Sequence, residues 1–123
     1  MVHTVPLHKL TRVVATAFEV PLWKGLRDPL THEEVHAALE EGRLDDPARG
    51  ECDSADSSWT RQRHAERVAW FALHGWDEPI TLDTGRVWPV IDGNHRLAAA
   101  VYREDPTIRV LAVHTVREPR GSR

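Results

Sequence analysis

The fold class predicted by this sequence is a small α/β (α+β) domain in which a few helices are layered on short strands. Three observations predict it. The chain has 123 residues, of which 41% are hydrophobic and 28% charged, a globular composition with enough apolar material for one modest core. Two stretches, "LTHEEVHAALEEG" and "WTRQRHAERVAWFALHG", place apolar residues at helical spacing. Three others, "PITLD", "RVWPVID" and "TIRVLAVHTV", are β-branched runs bounded by turn residues.

Each element follows from its residues. "HTVPLHKLTRVV" has short apolar pieces around Pro6 and predicts an opening strand followed by a turn, while Pro21, Gly25 and Pro29 mark "AFEVPLWKGLRDP" as loop. Thr31 is a suitable N-cap for the first clear helix, Glu34 three residues later completes a capping box, and Gly42 stops it. Residues 43–58 are rich in Asp, Ser, Pro and Gly and predict a polar, mobile segment. Ser57 or Ser58 is the expected cap of the next helix, in which Ala65, Val68, Ala69 and Ala72 form the apolar stripe and Gly75 the end. Thr84-Gly85 joins two paired strands at 79–83 and 86–92. A helix from about Asn94 to Glu104 then stops before Pro106, and a strand closes the chain.

Several classes are set aside by composition. No apolar run approaches a membrane span, and the N-terminus lacks the apolar region of a signal peptide. The single cysteine, Cys52, allows no internal disulfide, so a cytoplasmic location is expected. A formal charge of −3 argues against a protein that coats nucleic acid nonspecifically.

The segment "VIDGNHRL" carries the most chemistry. Between strand and helix stand Asp92, Gly93, Asn94, His95 and Arg96, with almost no apolar surface among them. A helix start collects backbone N–H groups and a partial positive charge. Gly93 lets the chain turn sharply and lets a ligand approach the backbone. Arg96 offers a planar fork for phosphate oxygens, His95 donates or accepts near neutral pH, and Asp92 can hold Mg²⁺ or orient Arg96. The same residues also fit a plain capped helix, with Asp92 or Asn94 as N-cap and His95 and Arg96 in solvent.

"VIDGNHRLAAAVYRE" resembles the signature of the ParB/sulfiredoxin superfamily, a strand, an Asp-Gly-x-His-Arg-like turn and an Ala-rich helix. Residues 66–113 follow the family order, and "VPLHKL" resembles its opening strand, whereas residues 11–60 match poorly. The resemblance implies a ParB/sulfiredoxin-like domain, a short mixed sheet packed by helices. Sulfiredoxins place a reactive cysteine before the His-Arg pair; Asn94 stands there, and an amide is no thiolate, which argues against a sulfinic-acid reductase. Chromosome-partitioning members bind CTP but add DNA-binding and dimerisation regions, for which 123 residues are expected to leave no room. Kinase, ATPase and nuclease members keep a turn close to "DGNHR". By that likeness Gly93, Asn94, His95 and Arg96 bind nucleotide phosphates (ATP, ADP or CTP), and Asp92 places the Mg²⁺. Asp92 and His95 would act in catalysis, with an acidic residue, Glu19 or Glu33, as general base.

Other motifs compete. "HEEVH", residues 32–36, satisfies the zinc-peptidase pattern, but His32 falls at the first position of a short capped helix and no third ligand follows. The five tryptophans, Trp23, Trp59, Trp70, Trp76 and Trp88, read mainly as packing, with Trp23 or Trp59 able to stack on a base or a partner. "RQRHAER", residues 61–67, reads equally as a nucleic-acid contact or as a solvated face with an Arg63–Glu66 pair. The expected function is an Mg²⁺-dependent nucleotide hydrolase or small-molecule phosphotransferase. The alternatives are a DNA-binding regulator or nuclease using the same turn, and a non-catalytic partner of another protein.

Overall fold

Strand alternation sets the centre of the sheet. In β4 (Thr107–Val113) Ile108 and Val110 are buried while Thr107 and Arg109 face outward, the period of a strand with one covered face. β4 pairs antiparallel with β1 (Val2–Pro6) and parallel with β2 (Ile80–Asp83), and β2 pairs antiparallel with β3 (Val90–Asp92). The order is β1-β4-β2-β3, a four-stranded mixed sheet. The structure, a computed structural model, describes residues 1–14, 30–50, 60–83 and 90–114.

Helices α1 (Leu7–Val14), α2 (His32–Glu41), α3 (Arg61–His74) and α4 (Asn94–Arg103) complete an α+β fold. α4 carries the run Leu97-Ala98-Ala99-Ala100, wholly buried. Alanines leave room for a close neighbour, and α3 supplies Ala65, Val68 and Ala69 from its own buried face. α2 packs on the other flank of α3 through Val35 and Ala38. Ile80 and Leu82 bring β2 into the same core. Trp76 packs at its border beneath the Arg103 guanidinium, and Trp70 meets Phe71 edge to face; Trp23, Trp59 and Trp88 lie outside the described residues. Among the described residues, no helix is long and apolar enough to cross a membrane.

Four local expectations change. The chain enters α1 directly after Pro6, where a turn was predicted, because Leu7 and Leu10 one turn apart are both buried and Leu7 N–H donates to Pro106 O at 3.0 Å. Thr60, not Ser57 or Ser58, caps α3, its Oγ1 accepting from Arg63 N at 3.1 Å. The polar segment is anchored at its start, where Asp45 is fully buried and a short 3-10 turn, Pro47–Arg49, follows. Glu66 pairs with Arg43 at 3.0 Å and not with Arg63, since α3 turns Arg63 toward Asp45.

Candidate functional site at the start of α4

β3 delivers Asp92 to the sheet end, and the chain reverses through Gly93 at φ 104°, ψ 25°. A Cβ at this glycine would lie 2.5 Å from Ile80 Cγ2 and 2.8 Å from Ile80 Cβ. Both the positive φ and the contact demand glycine. Gly93 is itself the N-cap of α4, and the first helical bond runs from Leu97 N to Gly93 O at 2.8 Å. The expected cap by Asp92 or Asn94 is thereby corrected, because the turn puts a residue without a side chain at the capping position. His95 and Arg96 are not solvated either; they are 9% and 7% exposed.

Arg96 is engaged with the chain itself. Its Nη1 donates to the carbonyls of Glu78 at 3.0 Å and Pro79 at 3.1 Å, and its Nη2 pairs with Asp92 Oδ2 at 3.1 Å. The guanidinium thus braces the turn against the approach to β2. The Asp92 side chain stays 68% exposed, so its carboxylate can still reach a cation in solvent.

His95 meets a partner 31 positions earlier. Its Nε2 lies 2.9 Å from Nδ1 of His64, with the rings 5.1 Å apart and nearly parallel. Loss of hydration, then the positive charges of Arg63 and Arg67, pull the His64 pKa down to about 4. Burial holds His95 well below the usual histidine range, helped by His64, Arg67, Arg63 and Arg96. Both rings are neutral at pH 7.

Behind His64, Asp45 gathers arginines. Arg67 Nε donates to Asp45 Oδ2 at 2.8 Å, Arg49 Nη1 to Oδ1 at 2.9 Å, and Arg63 Nε lies 3.5 Å away. Arg67 also donates to Gly50 O at 2.7 Å, which ties residues 45–50 onto α3. Sequence reading missed this network and the histidine pair. The signal for His64 was present in the spacing: His64 and Val68 are one turn apart and share the buried face of α3.

The remaining candidates sit elsewhere. Glu19 lies outside the described residues. Glu33 follows His32, which stacks on Tyr102 at 4.3 Å, and Tyr102 is about 10 Å along α4 from His95. The structure therefore does not bring Glu33 beside the turn. The "HEEVH" histidines converge on that same tyrosine, His36 Nδ1 lying 3.1 Å from its hydroxyl and His36 Nε2 3.1 Å from Glu40. Among the described residues, no group of three or more His, Cys, Asp or Glu is placed to hold a metal ion. Asp92, Gly93, Asn94, His95 and Arg96 do come together at one turn, each with a distinct environment. No family model, no curated protein and no solved structure matches this chain.

Proposed function

We propose that the Asp92–Arg96 turn binds the phosphates of a nucleotide together with Mg²⁺, in a ParB/sulfiredoxin-like domain that acts as a nucleotide hydrolase or small-molecule phosphotransferase. The observation that carries this reading is Gly93. It caps a ten-residue helix without a side chain and is pressed so closely on Ile80 that no other residue fits, and a helix start of this kind suits an anion. Phosphate oxygens are received by backbone N–H groups of the first turn, with Asn94 and His95 beside them. Asp92, exposed at the same turn, holds Mg²⁺ through one carboxylate while the phosphates and water complete its octahedron. Arg96 keeps the turn in shape and contributes positive charge from behind. Glu19 is the proposed general base toward the attacking hydroxyl.

Nucleic-acid binding through "RQRHAER" loses support from the placement of its cations. Arg61 pairs with Glu34, and Arg63 and Arg67 with Asp45.

A thermal-shift series with ATP, ADP and CTP, each with and without Mg²⁺, tests the reading. A ligand held only by the folded state adds about 2.7 kcal/mol at a hundredfold excess over Kd. At least one nucleotide should raise the melting temperature in an Mg²⁺-dependent way, and Asp92→Asn should remove that dependence. Identical melting curves throughout would end the proposal.

A further inference from the structure

The histidines of "HEEVH" belong to a second cluster, away from the turn. His32, His36 and Glu40 follow one another a helical turn apart along one side of α2. That side meets Tyr102 of α4, the one tyrosine in the chain. The tyrosine ring is partly buried against the core, with the His32 ring stacked on it at 4.3 Å. Its hydroxyl lies 3.1 Å from His36 Nδ1, and His36 Nε2 lies 3.1 Å from Glu40 Oε1. A carboxylate only accepts, so Nε2 carries a proton. In neutral His36, Nδ1 is then the bare nitrogen, and the Tyr102 hydroxyl donates to it. Tyr102, His36 and Glu40 thus stand in the order of nucleophile, base and orienting carboxylate.

The geometry points to Tyr102 as an acyl acceptor, its hydroxyl activated by His36 and its substrate an uncharged activated ester. Tyr102 Oη attacks the carbonyl carbon while its proton passes to His36 Nδ1. The Oη–C bond forms, the C–O bond to the leaving alcohol breaks, and His36 returns the proton to the departing oxygen. Glu40 is the positioning residue. It holds the tautomer that leaves Nδ1 bare, and its charge offsets the imidazolium formed during the step.

The same charge selects the electrophile. A phosphate would bring anionic oxygens toward Glu40, whereas an ester carbonyl is uncharged. His36 and Glu40 are exposed, which leaves the relay open to an ester from solvent. The inference is independent of the phosphate reading, since Tyr102 lies about 10 Å along α4 from His95.

The test is acetylation of the full chain by 4-nitrophenyl acetate at pH 7, mapped by peptide mass spectrometry. Neutral hydroxylamine removes an ester on tyrosine and spares an amide on lysine, which separates the two products. Positioned proton transfer is worth about a hundredfold or more in enclosed sites, and about tenfold is expected here for Tyr102 over N-acetyltyrosinamide. His36→Gln and His36→Phe should bring the rate down to that of the free amide. Glu40→Gln keeps an acceptor for Nε2–H and should retain most of the gain, whereas Glu40→Leu should lose it. Melting curves establish that each variant is folded. A Tyr102 no faster than N-acetyltyrosinamide overturns the inference, and so does a rate unaltered by both His36 substitutions. Equal rates in the two Glu40 variants overturn the role given to Glu40. Should a His36 variant not fold, the wild-type rate and the Glu40 variants decide.

Discussion

Helices α2 and α4 have ten residues each and begin in opposite ways. α2 opens with a capping box in the exposed surface: Thr31 Oγ1 accepts from Glu34 N at 3.2 Å, and Glu34 Oε1 accepts from Thr31 N at 3.0 Å. α4 opens on a bare glycine, and the second and third residues after it, His95 and Arg96, are buried and committed to partners from α3 and from the run into β2. The first start is secured by two residues three positions apart, Thr31 and Glu34. The second is secured by tertiary contacts, and its backbone N–H groups lie where no capping side chain stands in front of them at Gly93. A helix start that serves only the fold has its caps close in sequence. One that serves a ligand needs that place kept open and the turn held by other means.

Substitutions should separate the two starts by size of effect. Gly93→Ala should be the most damaging, by about 3 kcal/mol or more, since backbone strain at positive φ adds to a clash with Ile80. Chemical denaturation measures it directly, and a loss below about 1 kcal/mol, the value of an ordinary helical glycine, would show that the turn is looser than described. Arg96→Ala should cost about 2–3 kcal/mol, because charge-assisted bonds to Glu78 and Pro79 are lost together. An unchanged melting temperature would mean that Arg96 does not brace the turn. Thr31→Ala, at the start of α2, should cost about 1 kcal/mol and leave nucleotide binding unaltered.

Acid should open the two regions in sequence. His64 and His95 are held neutral in the fold, with pKa values below the ordinary 6.5. The unfolded chain takes up their protons first, so stability falls as pH drops below about 6.5, for His64 by up to about 3 kcal/mol near pH 4. Burial alone would raise Glu34, but its bonds from Arg61 and Thr31 bring its pKa below 4.5. Its contribution is present above 4.5 and disappears only as pH falls through that lower value. Unfolding free energy measured from pH 8 to 3.5 should therefore decline first through the histidine pair, and His64→Gln should flatten the upper part of that decline. A curve level down to pH 4.5 would contradict the buried, neutral pair.

The same contrast explains what could be read from residues alone. Thr31, Glu34 and Gly42 act within one turn of α2, and their chemistry is visible in the string. The strands at 80–83, 90–92 and 107–113 and the helix at 94–103 were legible for the same reason, through β-branched runs and the Ala-rich stretch, while the expected turn at Thr84-Gly85 and the start of the 86–92 strand lie outside the described residues. The turn at Asp92 to Arg96 was legible as a cluster, since Gly93 sits between a strand and a helix. What the cluster does with its side chains was not. His95 and Arg96 depend on His64, Glu78 and Pro79, and Arg67 depends on Asp45, 22 positions away. A run such as "RQRHAER" looks solvated because its polar atoms find partners that only the folded chain supplies.

The account turns on where a nucleotide lands. Backbone amide NMR of the full chain, titrated with ATP, ADP or CTP in the presence of Mg²⁺, reads both helix starts in one experiment. The account predicts saturable shifts concentrated at Gly93 to Leu97, with the signals of Thr31 to Val35 unmoved. Shifts centred on α2, or none at either start with any of the three nucleotides, would contradict it.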